Sequence, residues 1–170
     1  MPQNDVPDFG ALLRSAERSA VHLEMRDSYM EDDAFAAWRE GREIGLPSAY
    51  GEWRSLVEGT VARGVAVRRA RVVSEPVTDY IRWEHSLTGS HNVAAGESVR
   101  WLPRRLASDL ALPGNDLWLI DDRLVLFHWF TGAGEWAGHE FTEAPDTVKM
   151  AVTAFEAVWD RAIPHEKYAV

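Results

Sequence analysis

The spacing of hydrophobic and polar positions predicts helices and strands in a definite order along the chain. A short apolar stripe after Asp8 predicts a first helix that Asp8 caps, and residues 20–25 alternate as a first strand does. Residues 32–40 and 48–63 have the three-to-four-residue spacing of helices, with a glycine and a proline between them. This pattern predicts an N-terminal helical pair.

The rest of the chain predicts a sheet and a long terminal helix. Residues 65–73 are rich in β-branched side chains and predict a second strand, whereas residues 77–87 have helical spacing. Two apolar runs within 117–130 flank a polar turn, and residues 135–141 follow as a third strand of the same meander. An apolar stripe over residues 148–162 predicts the last helix.

These elements predict an α+β fold in a single domain over residues 1–170. We expect an antiparallel or mixed central sheet, with the late three-strand meander covered by the amphipathic C-terminal helix and with the N-terminal helical pair beside it. The length of 170 residues and an apolar content of 46%, including eight Trp, are enough for one sizeable core.

Composition narrows the classes of function. The chain has no cysteine, which excludes disulfides, a thiolate nucleophile and metal sites built on thiolates. Residues 1–8 lack the basic and apolar regions of a secretory signal, and no apolar run approaches the roughly 20 residues of a membrane span. We therefore expect a cytoplasmic protein without membrane contact.

The charge is unevenly distributed. The net charge is −9, yet residues 61–105 hold eight basic and four acidic side chains. An acidic total argues against direct nucleic-acid binding, because few phosphate counterions could be released. An anionic small molecule or an acidic protein surface remains compatible with the basic middle segment.

Polar and aromatic side chains concentrate within this basic segment, at residues 71–85 and 100–105. Arginines there predict a receptor for a carboxylate or phosphate, with aromatic rings as flat walls. The alternative is that these arginines pair with nearby acids as surface networks. The candidate ligand-binding residues, with one histidine from the meander, are Arg71, Tyr80, Arg82, Trp83, Glu84, Arg100, Trp101, Arg104 and His128.

His128 allows two interpretations. It lies in an otherwise apolar strand and is either a hydrogen-bonded core residue or a general base. The sequence has no H-E-x-x-H motif, G-x-S-x-G elbow, P-loop or dinucleotide fingerprint, so we expect no metal, no cofactor and no catalytic residue. The alternative function is a hydrolase or transferase of phosphorylated or nucleotide-like substrates, with His128 or His85 as the base and the arginines stabilising charge.

Several stretches carry a resemblance to a known family. The pattern D-F-x-x-L-L-x-x-A-x-x-S-A-x-x-L-E-x-R-D-x-Y runs from Asp8 to Tyr29, and residues 71–84, 92–97 and 99–104 add further matches. Together they resemble the actinobacterial family of domains of unknown function DUF6879. The family is similar to other regulator-associated domains, and its members look like companions of helix-turn-helix regulators.

The family looks like one without an established activity, and the resemblance implies a ligand-sensing or partner-binding module. We therefore expect a regulatory or effector-binding domain, with a helix-turn-helix protein as a partner that makes any DNA contact. In this hypothesis Arg82 and Arg100 anchor the charge of the ligand, whereas Trp83 and Trp101 form the walls of the pocket.

Overall fold

A computed structural model of the protein describes residues 3, 5–29, 33–42 and 48–170. The helices are α1 (Phe9–Ser15), α2 (Asp33–Arg39), α3 (Ser48–Ala62), α4 (Asp79–His91) and α5 (Pro145–Arg161). The strands are β1 (Ser19–Glu24), β2 (Ala66–Val73), β3 (Ser98–Pro103), β4 (Leu117–Ile120), β5 (Leu124–Phe130), β6 (Trp136–Thr142) and β7 (Ile163–Pro164). They form one mixed sheet in the order β6-β5-β4-β1-β2-β3-β7.

The directions of the strands follow from how they are connected. Helices link β1 to β2 and β2 to β3, and both of these pairs are parallel, as crossover connections require. Short turns link β4, β5 and β6, which are antiparallel. Asp121 and Asp122 make the turn between β4 and β5 with positive φ angles of 53° and 56°, which aspartate tolerates better than most residues.

Each face of the sheet packs against different helices, because successive side chains of a strand point to opposite faces. On one face, Leu23 and Val72 pack against Phe155 and Val158 of α5. On the other face, the central strands pack against α1 and α3, with Leu13 and Val57 among the buried residues. The site described below lies on this second face.

The helices on the second face are fixed by caps and aromatic contacts. The side chain of Asp8 accepts a hydrogen bond from the amide of Ala11 at 2.8 Å, which confirms the predicted cap of α1. Phe9 of α1 contacts Trp53 of α3, with ring centroids 6.1 Å apart. In the same way, Phe35 of α2 contacts Trp83 of α4 at 5.3 Å.

The predicted α+β fold is confirmed, including the late meander and the terminal helix. The glycine and proline that separate the predicted helical pair, Gly45 and Pro47, lie outside the described residues. Two strands were not predicted, β3 and the short β7, which pair with each other at the edge beside β2. Among the described residues, no helix combines the length and apolarity needed to cross a bilayer.

Candidate functional site

Strand alternation places four polar side chains side by side on the buried second face. His22 and Glu24 of β1 pair in register with Arg69 and Arg71 of β2. His22 also pairs with Trp118 on the other neighbouring strand, and their rings stack with centroids 4.4 Å apart. The middle of the sheet therefore carries charged and aromatic groups where a core would ordinarily be aliphatic.

A cavity of about 290 Å³ separates this part of the sheet from α1, α3 and α4. We call it the aromatic cavity, because six Phe, Tyr or Trp rings and three imidazoles line it. The lining residues are Phe9, His22, Tyr50, Trp53, Arg69, Arg71, Tyr80, Trp83, Glu84, Leu87, His91, Asn92, Trp118 and His128. The sheet residues among them are buried, whereas most of those from the helices are only partly buried.

A buried ion-pair network forms the charged side of the aromatic cavity. It consists of Glu24, Arg69, Arg71, Glu84 and Glu97. Glu24 binds both arginines, one through each carboxylate oxygen. Nε of Arg69 also donates to Glu97 at 2.7 Å, and a terminal nitrogen of Arg71 lies 3.1 Å from Glu84.

Two hydrogen bonds extend this network into the helical layer. Nη1 of Arg71 donates to the hydroxyl of Thr88 at 2.7 Å, and the amide of Asn92 donates to the second carboxylate oxygen of Glu97 at 2.6 Å. The arginines are thus fixed by groups from β1, from α4 and from the segment after it. A ligand would meet a preformed arrangement.

The two carboxyl groups nearest Arg71 are shifted in opposite directions. Burial works against the charge of Glu24, but Arg69 and Arg71 hold its pKa well below the ordinary value of 4.5. Burial raises the pKa of Glu84 to about 7, because Arg71 only partly offsets the desolvation and Glu24 adds a like charge. Glu84 therefore changes its charge near neutral pH.

His22 and His128 both line the aromatic cavity, and both have buried ring nitrogens without hydrogen-bond partners among the described residues. The two residues are 8% and 5% exposed, and their ring centroids lie 5.6 Å apart. Both nitrogens of His22 and Nε2 of His128 lack a hydrogen-bond partner in the described part of the chain. Nδ1 of His22 does lie 3.3 Å from Glu24, but without hydrogen-bonding geometry.

Both imidazoles are neutral at physiological pH. Burial lowers the pKa of His22 well below 6.5, and burial lowers the pKa of His128 to about 4. A neutral imidazole offers one N–H donor and one acceptor nitrogen. The two rings therefore have donor and acceptor capacity that the described part of the chain leaves unused.

Five of the nine candidate residues from the sequence line the aromatic cavity. They are Arg71, Tyr80, Trp83, Glu84 and His128. Trp101 lies just outside it: the ring is fully buried, 4.8 Å beneath the guanidinium of Arg71, and stacks on Tyr168. Trp101 supports Arg71 rather than forming a wall.

The remaining three arginines lie elsewhere. Arg82 is exposed on α4 and binds Asp79 at 2.7 Å. Arg100 lies over the ring of Trp159, at 4.4 Å from its centroid, on the face of the sheet that α5 covers. Arg104 donates to the carbonyl oxygens of Met25 and Val72 and thereby connects the ends of two strands. The structure does not bring these three to the aromatic cavity.

Sequence reasoning missed the residues that β1 contributes, together with Arg69. His22 and Glu24 are two positions apart within an otherwise buried strand, and so are Arg69 and Arg71. Polar residues at a spacing of two in neighbouring buried strands must point to the same face. That spacing was the available signal. In the described part of the chain, no group of three His, Asp or Glu side chains is placed to hold a metal ion.

Comparison with known proteins identifies a family and a shared fold. The model for DUF6879, a domain of unknown function, matches residues 7–170. A search of curated proteins finds no match. The phospholipase D family member Nuc from Salmonella typhimurium has a similar fold, with a TM-score of 0.51, 15% identity and coverage of 91% of this chain and 86% of Nuc.

Two further solved structures are less similar. TrmBL2, an archaeal chromatin protein that binds DNA, gives a TM-score of 0.49 at 15% identity. The match covers 91% of this chain and 48% of TrmBL2, so the chain spans about half the length of that protein. The phosphatidylserine synthase of Haemophilus influenzae Rd KW20 gives a TM-score of 0.45 at 8% identity, with 92% and 36% of the two chains covered. At these identities the comparisons concern the fold alone.

Proposed function

The chain belongs to the DUF6879 family, whose function is unknown, and on that premise we propose that it is a regulatory domain that binds a small effector in the aromatic cavity. The unpaired nitrogens of His22 and His128 carry this proposal. A buried polar atom without a partner costs about 1 to 3 kcal/mol, a cost that a bound polar group would remove. Unpaired groups gathered at one cavity therefore favour a ligand-binding role.

The size and lining of the aromatic cavity support a small effector. Its volume of about 290 Å³ lies near the lower end of the range for ligand pockets. Aromatic walls with a few fixed polar groups are the usual composition of such sites. The regulatory part of the proposal is a helix-turn-helix partner that responds to the bound effector, and it depends on the resemblance of the sequence to regulator-associated domains.

The histidines favour binding over the alternative of a hydrolase or transferase. A general base works best with a pKa near the operating pH, whereas burial lowers the pKa of His128 to about 4. The other proposed base, His85, is not among the residues that line the cavity, and its Nε2 lies 3.0 Å from the carbonyl oxygen of Tyr168.

A pair of variants on α4 tests the proposal. Leu87→Trp should fill part of the aromatic cavity, whereas Arg82→Ala changes only the exposed side of the same helix. The small-molecule fraction of the native cell extract should raise the melting temperature of the wild type and of Arg82→Ala, because a ligand that binds only the folded state stabilises it. It should not raise that of Leu87→Trp.

Cooperative unfolding of Leu87→Trp in the absence of extract establishes that this variant folds. An equal shift in all three proteins, or a shift in none, would contradict binding in the aromatic cavity. The same extract then provides the ligand for mass spectrometry. Capture of a helix-turn-helix protein that the wild type binds and Leu87→Trp loses would support the regulatory partner.

A further inference from the structure

The arginines beneath the aromatic cavity are already compensated by carboxylates. Two cations, Arg69 and Arg71, face three acids, namely Glu24, Glu97 and the partly protonated Glu84. Burial disfavours a further negative charge in this network, because a like charge nearby is poorly screened there. An anionic ligand would add that charge, so the charge count argues against the anion that the sequence alone suggested.

The walls of the aromatic cavity are suited to a positive charge. Aromatic faces attract cations, and tryptophan does so most strongly. The attraction acts within about 6 Å of the ring centroid. The rings of Trp53 and Trp118 already have a cation of the protein at this distance, because their centroids lie 6.0 and 5.6 Å from the guanidinium of Arg69. Tyr80 and Trp83 complete the wall on α4, their ring centroids 5.3 Å apart.

One carboxyl group of the network is placed to act as the counter-ion. Glu84 lines the aromatic cavity, and 16% of its side chain is exposed, whereas Glu24 and Glu97 are more deeply buried behind the arginines. No hydrogen bond to its carboxylate from another described residue accompanies the ion pair with Arg71. Glu84 therefore keeps capacity for a further cationic partner.

We infer that the effector is a small organic cation, an amine or a quaternary ammonium compound, held by the aromatic walls with Glu84 as its counter-ion. A polar group on the same molecule hydrogen-bonds the imidazoles of His22 and His128. This inference rests on the proposed function and specifies its ligand. It names a class of ligand opposite in charge to the one expected from the sequence.

The binding of a cation has a consequence for protons. Burial raises the pKa of Glu84 to about 7, so this group is partly protonated at neutral pH. The charged groups that act on it are Arg71, Glu24 and Arg69 from the sheet, together with Asp116, which precedes β4. A cation beside Glu84 favours the ionised form, so binding at pH 7 should release up to about half a proton per ligand. The number of protons released can be measured by calorimetry, because the buffer takes up these protons and the measured heat of binding then depends on which buffer is used.

Three probes of nearly equal shape separate charge from size. Choline carries a positive charge, 3,3-dimethylbutan-1-ol is its neutral carbon isostere, and 3,3-dimethylbutanoate is an anion of the same branched skeleton. Isothermal titration calorimetry should give choline at least about tenfold higher affinity than the alcohol, and the anion the lowest affinity.

Glu84→Gln should reduce choline affinity about tenfold and leave the affinity of the alcohol unchanged. The matched control Glu166→Gln, at an exposed residue away from the cavity, should change neither.

The outcomes separate this inference from the proposed function. The inference of a cationic ligand is wrong if the alcohol or the anion binds more tightly than choline. It is also wrong if choline does not bind at millimolar concentration. If Leu87→Trp abolishes the stabilisation by cell extract in that case, the aromatic cavity still binds an effector of another class. If Leu87→Trp leaves both choline binding and the extract effect unchanged, the proposed function fails together with the inference.

Discussion

At the scale of single residues, the buried ion-pair network depends most on Glu24, because its two carboxylate oxygens bind two different arginines. In Glu24→Gln the side chain keeps its shape but loses its charge, which leaves Arg69 and Arg71 under-compensated in a buried site. Breaking a buried pair in this way costs about 3 to 5 kcal/mol. We expect the free energy of unfolding to fall by that amount, as measured by urea denaturation at pH 7.

Glu156→Gln is the matched control for Glu24→Gln. Glu156 pairs with Arg68 on the opposite face of the sheet, and the two side chains are 45% and 26% exposed. Partly exposed pairs contribute less than about 1 kcal/mol, so this variant should remain close to the wild type. Equal losses in the two variants would mean that the arginines gain their compensation elsewhere, and the account of the network would be wrong.

Glu84 predicts a pH dependence of stability with a definite sign. In the unfolded chain Glu84 ionises near its ordinary pKa of 4.5, whereas burial raises the pKa of Glu84 in the folded protein to about 7. Between these values the folded state holds a proton that the unfolded state has released, so stability falls as the pH rises through this window. Glu84→Gln removes that loss. The variant should gain about 2 kcal/mol relative to the wild type between pH 4.5 and pH 8, after allowance for the exposed edge of the side chain.

The measurement is the difference between the two unfolding free energies at each pH. His22 and His128 also titrate near this window with the opposite sign, because burial lowers the pKa of each imidazole. Their contribution is common to both proteins and is removed by the difference. A difference that stays constant from pH 4.5 to pH 8 would show that Glu84 does not hold the proton.

At the scale of elements, the local pattern of apolar and polar residues was enough to predict a strand or helix that depends on its own residues alone. The meander was predictable because two apolar runs flank Asp121 and Asp122, which turn the chain without help from distant residues. Strand β3 was not predictable in this way. It is fixed by parallel pairing with β2, in which Arg69 lies opposite Val99, and no local pattern encodes that contact.

The same distinction explains which site residues could be predicted. Tyr80, Trp83 and Glu84 are three and four positions apart, so they share the face of α4 that lines the cavity, whereas Arg82 lies on its exposed side. Arg100 follows Val99 in a strand, so its side chain points away from the face that Val99 occupies. Helical spacing was visible in the sequence, but the alternation in β3 could be used only once β3 was known to be a strand.

At the scale of the whole molecule, the two faces of the sheet differ in what packs against them. Residues at alternate positions of β2 serve both faces: Ala70 and Val72 pack into the core beneath α5, whereas Arg69 and Arg71 line the aromatic cavity. The face beneath α5 therefore forms a hydrophobic core apart from the aromatic cavity. The cavity face can keep unpaired imidazoles and a carboxyl group with a raised pKa because the opposite core holds the strands in place.

This division predicts that substitutions on the two faces act independently. Phe155→Leu, in the core beneath α5, should lower the free energy of unfolding by about 1 to 2 kcal/mol, because it removes buried volume. The double variant also carries Glu84→Gln on the opposite face. Its change in the free energy of unfolding should equal the sum of the two single changes to within about 0.5 kcal/mol, as is usual for sites without shared partners. Urea unfolding of the wild type, the two single variants and the double variant at pH 7 measures the coupling. A coupling above about 1 kcal/mol would mean that strain passes through β2, so that a ligand in the aromatic cavity would also alter the packing of α5.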